Sequence, residues 1–357
     1  MARIDRRTIL QGAGVAALGY VLGAGGYLIY HFSDKHPEGE HKDEKPVPKK
    51  KFGHQWLSAE EGLGVMPRHY EMLDSIVDHA AAAIRQGQQR FRDGKESTHF
   101  PDLDERIDTY RSTAALTAMR LARAKEKTLP EPTAPYEARA KEIENEAMRT
   151  IFFRTVDSVL DSRGYWPREK APNSLHRSLD AKKLKCDTAS ALYLSVAQAV
   201  EAPVFGALTP IHMFVRWDPN GKHDYLLAGN PANAGDLNWD AQDGLSIDDS
   251  FHIQYRGWPW FSPMSKTALP KTDYMRNLTF DEAAALGFYA AGNEFESRFS
   301  VTNDKKDLEQ ALKLLNEAIE RIPKAYKFFY ARADVWDALG DEKRKEEDFK
   351  RAEELIV

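Results

Sequence analysis

The chain contains one cysteine, Cys186, and it stands where an uncharged helix should begin. Lys185-Cys186-Asp187-Thr188-Ala189-Ser190 runs into the apolar stretch Ala191 to Val200. A thiol at a helix N-terminus meets the positive end of the helix dipole and the unpaired N–H groups of the first turn, and both favour the thiolate. His212 follows 26 residues later, at the head of the apolar run His212 to Trp217. An imidazole within reach of the sulfur can take its proton, leaving a nucleophile able to attack a carbonyl carbon. A free cysteine is equally at home as a small buried hydrophobe. The elements around Cys186 and His212 therefore decide between chemistry and packing.

Those elements read as helix, strand, strand, turn, strand. The helix after Cys186 carries Ala191, Leu192, Leu194, Val196, Ala197 and Val200 with few charges, the pattern of a central, buried helix. Pro203 closes it, and Val204 to Leu208 is a short apolar strand. His212 to Trp217 is the next strand, Asp218-Pro219-Asn220-Gly221 is a hairpin turn signal, and Tyr225 to Ala228 is the expected returning strand. Upstream, Tyr136 to Leu160 has helical periodicity and ends at Gly164-Tyr165-Trp166-Pro167. Trp56 to Lys127 reads as helices with a turn over residues 92–104, and three prolines between Thr128 and Pro135 break the pattern. His69, His79 and His99 in this part fall at no metal-ligand spacing.

Composition narrows the function classes. The chain has 357 residues, a net charge of −5 and 42% hydrophobic residues, enough for two or three folded units. No dense basic patch interleaved with aromatics is present, so nucleic acid is not an expected partner. A single cysteine excludes an internal disulfide framework and any multi-cysteine metal site. No metal or organic cofactor is implied.

The N-terminal residues read differently from the rest. Arg3, Arg6 and Arg7 precede an uncharged run from Thr8 to Phe32. The order Asp5-Arg6-Arg7-Thr8-Ile9-Leu10 resembles a twin-arginine export signal. The run is long enough to span a bilayer, which takes about 20 residues. Residues 1–32 are therefore expected to form an uncleaved signal anchor, a single-pass attachment to the cell membrane with the bulk of the chain periplasmic or otherwise extracytoplasmic. Residues 33–55 read as a flexible charged linker.

The middle of the chain resembles a known family. A transglutaminase-like, papain-type core sets a cysteine at the N-terminus of a central helix, a histidine on the adjacent sheet and an acid or amide on the next strand. More narrowly, the chain is similar to the SirB-type transglutaminase-like proteins over Tyr136 to Arg256. The matching pieces are Asn173 and Leu175; Cys186 with Ser190, Leu192, Tyr193 and Leu194; Pro203-Val204; Pro210 with His212 and Phe214 to Trp217; and Asn238-Trp239-Asp240. Lys185 stands where the family usually has glycine. An insertion, Asn230 to Gly235, separates the histidine strand from the Asn-Trp-acid piece. The resemblance implies Cys186 as nucleophile, His212 as base and later acid, and Asp240 as the group that fixes the imidazole. Asn230 is the alternative third member, since it ends the expected returning strand.

Residues 280–357 are helical and repeat. Ala311, Leu315 and Ala318 recur as Lys345, Phe349 and Ala352, a period of 34 residues that resembles tetratricopeptide repeats. The expected fold class is thus α+β: a helical region over residues 56–135, a transglutaminase-like domain over residues 136–262, and a helical repeat over residues 280–357. Arg256 to Pro263 leads from one to the other, with aromatics suited to line a cleft or wedge domains. The expected activity is acyl transfer from a peptide or isopeptide amide in a protein or peptide substrate, by hydrolysis rather than cross-linking. The alternative is a non-catalytic scaffold that binds proteins or peptides through the repeat.

Overall fold

The computed structural model describes residues 52–93, 109–110, 112–120, 134–167, 171–209, 212–221, 238–240, 245–246 and 271–356. It is a helix-rich α+β protein with a small antiparallel sheet and a helical C-terminal region. Its helices are, in chain order, α1 (His54–Ala59), α2 (Pro67–Asp93), α3 (Ala134–Ser162), α4 (Leu175–Ala181), α5 (Cys186–Ala199), α6 (Phe280–Ala283), α7 (Ala285–Thr302), α8 (Lys305–Arg321), α9 (Tyr326–Leu339) and α10 (Glu342–Ile356). Residues 112–120 are also helical. Helix α1 begins at His54, just inside the stretch expected to be linker.

Packing divides the described residues into two units, one within 82–155 and one comprising 52–81 and 156–356. In the first, Gly87 lets two helices approach closely, since a Cβ there would lie 3.0 Å from Ile151 Cγ2. The Tyr110 and Thr150 hydroxyls meet at 3.4 Å.

The second unit is organised around α5. Ten of its fourteen residues are buried, from Thr188 through Ala197, so the helix has no solvent face and must be enclosed. Strands β1 (Trp166–Pro167) and β2 (Lys183–Leu184) form a short parallel pair just before it. Strands β3 (Val204–Leu208), β4 (Met213–Trp217), β5 (Asn238–Asp240) and β6 (Leu245–Ser246) form an antiparallel sheet in that order, and both β3 and β4 pack on α5. Residues Met213 to Trp217 are all buried, as a strand covered on both faces requires. The turn after β4 forms as the sequence signals: Gly221 N–H donates to Asp218 O at 3.0 Å, and Asn220 N–H to Asp218 Oδ1 at 3.0 Å. Residues 272–279 run beside β3, where Gly206 and Leu278 exchange both backbone hydrogen bonds, at 3.0 and 2.8 Å. Gly206 is what allows this, because a Cβ there would meet Met213 Cε at 2.9 Å and Ala283 Cβ at 3.1 Å.

Arg216 ties that segment to the sheet from inside. It is fully buried, and its guanidinium donates to Met275 O at 2.9 Å and Asn277 Oδ1 at 3.2 Å. Asn277 in turn donates to Asp218 Oδ2 at 2.6 Å.

The C-terminal helices form two hairpins. A two-residue link joins α7 to α8, with Asn303 left-handed at φ 54° and Asp304 capping α8 by accepting Lys306 N–H at 3.0 Å. Gly340, at φ 77°, makes the equivalent turn between α9 and α10. A second sign of the 34-residue period appears in three dimensions. Phe295 and Phe329 are 34 apart, and so are Arg298 and Arg332. Each arginine covers its phenylalanine ring, at 4.5 and 5.6 Å, and each pairs with a buried aspartate of the following helix, Asp307 or Asp348.

The single-pass membrane placement is corrected here. Among the described residues no helix is long and apolar enough to cross a membrane. The run Thr8 to Phe32 on which that placement rested lies outside the described residues, as do the linker up to Lys51, the strand expected at Tyr225 to Ala228, the insertion Asn230 to Gly235 and the aromatic segment Arg256 to Pro263.

The Arg216 network predicts a large stability effect. Arg216→Leu leaves the Met275 carbonyl and the Asn277–Asp218 pair without their buried donor. Urea unfolding of the variant should show a loss of about 3 kcal/mol; a loss below about 0.5 kcal/mol would contradict the network's role.

Candidate active site

Cys186 is the first residue of α5 and is partly buried. The residue before it, Lys185, has φ −95° and ψ 172°. That is extended backbone open to any residue, so lysine occupies the position without strain. Its backbone N–H donates to Thr188 Oγ1 at 2.9 Å, closing the first turn. Its ammonium donates to Asn173 Oδ1, which ties the α4 approach to the head of α5. Asp187 accepts the Thr188 N–H at 2.8 Å. Among the described residues the Cys186 N–H has no acceptor, which leaves it available to an oxygen bound beside the sulfur.

His212 is placed by a tight reciprocal turn between β3 and β4. Its N–H donates to Thr209 Oγ1 at 2.8 Å, its carbonyl accepts the Thr209 N–H at 2.8 Å, and the Thr209 hydroxyl lies 3.0 Å from the same carbonyl. Thr209 is buried. One helical turn after Cys186, Ser190 Oγ donates to Met213 O in a long bond of 3.5 Å. The head of α5 and the head of β4 are therefore neighbours. Strand β5 pairs with β4 through Val215 with Trp239 and Arg216 with Asn238. Because the pairing is antiparallel, the β5 backbone runs through Asp240 toward the end of β4 where His212 stands. Asn230 lies outside the described residues.

The electrostatics bring in side chains that no spacing in the sequence marks. Burial pushes the Asp187 carboxyl up, against the Thr188 N–H and the charges of Lys185 and Lys327. Burial pushes the Lys327 ammonium down to about 8, while the charges of Cys186 and Asp187 act to raise it. Burial also raises the Tyr289 phenol, opposed by a hydrogen bond from Asn293 and reinforced by Asp187. Lys327 belongs to α9, and Tyr289 and Asn293 to α7.

A second buried polar network holds the segment leading to Cys186. Glu60 accepts the N–H groups of Leu175 and His176 at the start of α4, and its Oε2 lies 2.8 Å from His176 Nδ1. His69 stacks edge-on against His176 at 5.6 Å and reaches Asp180 at 3.1 Å. More than 100 residues separate Glu60 from His176 and His69 from Asp180, which is why local reading found nothing at His69. Among the described residues no group of His, Cys, Asp and Glu could hold a metal ion.

The Thr209 turn predicts a split effect. Thr209→Val keeps the volume and removes the hydroxyl from both bonds to His212. It should cost about 1–2 kcal/mol in thermal unfolding and slow any His212-dependent reaction of Cys186 by roughly tenfold. An unchanged rate would show that this turn does not position His212. Comparison of the chain with protein-family models, with curated proteins and with solved structures returns no match.

Proposed function

We propose that this chain is a cysteine acyl-transfer enzyme with a transglutaminase-like, papain-type core. Cys186 is the nucleophile, His212 the base and later the acid, and Asp240 the group that fixes the imidazole. One observation carries the reading: the enclosed helix α5 exposes its first residue, Cys186, beside the strand end that follows His212, and the neighbouring strand ends at Asp240. Sequence order and backbone topology agree with that arrangement. A thiol meant only for packing would sit in the interior of such a helix, where every neighbour is buried, and not at its partly open end.

The chemistry follows from these groups. His212 takes the thiol proton, and the sulfur attacks the amide carbonyl to give a tetrahedral oxyanion. The Cys186 N–H is the donor on hand for that oxygen. Collapse breaks the C–N bond, His212 hands its proton to the leaving amine, and the acyl group remains as a thioester on Cys186. Water, deprotonated by His212, then releases the acid and restores the thiol. An amine in place of water would give transfer. The substrate class is a peptide or isopeptide amide, and the C-terminal helices, similar to tetratricopeptide repeats, are the docking surface we assign to the protein or peptide that carries it.

A thiol-reactive probe tests this reading. Cys186 should label rapidly at neutral pH, and His212→Ala should slow labelling by about 100-fold or more. Labelling of the parent chain no faster than that of a simple thiol, and indifferent to His212, would leave the docking scaffold as the only role.

A further inference from the structure

We infer that Asp273 is a positioning residue of the Cys186 site: it ties the C-terminal helices to the backbone that places His212. The inference rests on the acyl-transfer reading above and deepens it, because the base is then held from outside its own sheet.

The tie begins at the head of α9. Asp273 is buried, and its carboxylate joins two parts of the chain. Oδ2 accepts the Lys324 N–H at 2.9 Å, in the turn between α8 and α9 and 51 positions away. Oδ1 accepts Arg276 Nε–H at 2.8 Å. The same guanidinium reaches Glu282 of α6 at 2.8 Å and donates to Asn277 O at 3.0 Å. The next residue, Tyr274, meets Tyr326 of α9 edge-on, with ring centres 5.4 Å apart. Residues 273–276 are thus fastened to the start of α9 by a buried carboxylate and a pair of rings. A carboxylate with these partners fixes one arrangement, since displacing it strands buried polar groups.

The other end of the tie is at β3. Met275, 2% exposed, has φ 64°. That left-handed backbone is disfavoured for a long side chain and persists only where neighbours over-determine it. Here they act from both sides. Asp273 holds the residues around it. The Met275 N–H donates to Leu208 O at 2.9 Å, and the Met275 carbonyl accepts the Arg216 guanidinium at 2.9 Å. Leu208 is the last residue of β3, and Thr209, whose backbone and hydroxyl hold His212, comes directly after it. The line from Lys324 through Asp273, Met275, Leu208 and Thr209 to His212 is continuous in hydrogen bonds and peptide links.

The arrangement has a functional sense. The Thr209 turn fixes His212 relative to its own sheet. Met275 fixes the end of the strand that enters that turn, and Asp273 sets Met275. Placement of the base therefore depends on the C-terminal helices being in place.

Alkylation of Cys186 by iodoacetamide in two backgrounds tests this. In the full chain, Asp273→Ala should slow the reaction at pH 7 about fivefold or more. Asp273→Asn keeps an oxygen for the Lys324 N–H and should restore the rate to within about twofold of the parent. In chains already carrying His212→Ala, Asp273→Ala should change the rate by less than about 1.5-fold, because its effect runs through the imidazole. Equal slowing in both backgrounds, or no slowing in the parent background, overturns the inference even where the variant melts at a lower temperature. A measurement on the parent chain needs no variant to fold. There the Lys324, Met275 and Thr209 amides should exchange with solvent within about tenfold of one another, and a wider spread breaks the tie. The two readings fail separately. A parent chain whose alkylation ignores His212 removes the enzyme reading and this inference with it; a His212-dependent parent indifferent to Asp273→Ala removes only this inference.

Discussion

Enclosure of α5 is the constraint on which the rest depends. A helix buried from Thr188 to Ala197 cannot exist without walls on every side. Strands β3 and β4 form one wall, and Ala283 of α6 reaches in beside Gly206 to form part of another. Tyr193, fully buried, turns its hydroxyl to Asp157 on α3. What escapes enclosure is the N-terminal turn. There the backbone has donors to spare, and the chain sets its single cysteine on that turn. Burial elsewhere along the helix and openness at its head are two sides of the same packing.

Charge around that head is arranged with economy. Among the described residues, the charges of Lys185 and Lys327 act on Asp187 at that head. Lys185 is turned to Asn173 and serves the approach segment. Asp187 is held by the backbone of its own turn and disfavoured as an anion by burial. Lys327 is the group whose position is fixed by aromatic faces and not by an ion pair. Farther back, Glu60 binds the start of α4 through two backbone N–H groups and His176. A buried carboxylate so engaged holds the α4 approach in one position, because releasing any partner strands the others in an apolar setting.

Much of this was legible in the primary structure, and the limits have physical reasons. The Cys186 helix, the two strands after it and the Asp218–Gly221 turn are set by local patterns: a nearly uncharged helical run, two short apolar stretches buried along almost their whole length, and a turn that needs a glycine at φ 65°. The 34-residue period was visible in small and apolar residues, although its clearest form, the Phe295–Arg298 and Phe329–Arg332 pairs, shows only once the rings and guanidinium groups are seen to stack. Thr209, Glu60 and Lys327 were not legible. Thr209 matters through a hydroxyl shared across a turn, Glu60 through hydrogen bonds spanning over 100 residues, and Lys327 through rings on two different helices, for none of which a spacing rule exists. The membrane placement was read from the paired arginines Arg6 and Arg7 and the length of the uncharged run Thr8 to Phe32, and no helix among the described residues carries it.

Trapping the covalent intermediate is the most direct measurement of the central claim. The chain is mixed with an activated acyl ester or a peptide amide, quenched in acid and weighed intact. The account predicts a mass increase equal to the acyl group, mapped to Cys186, removed by hydroxylamine as a thioester would be, and absent in Cys186→Ser. Absence of any adduct on Cys186 under conditions that acylate a simple thiol, or an adduct that forms equally well without His212, would contradict it.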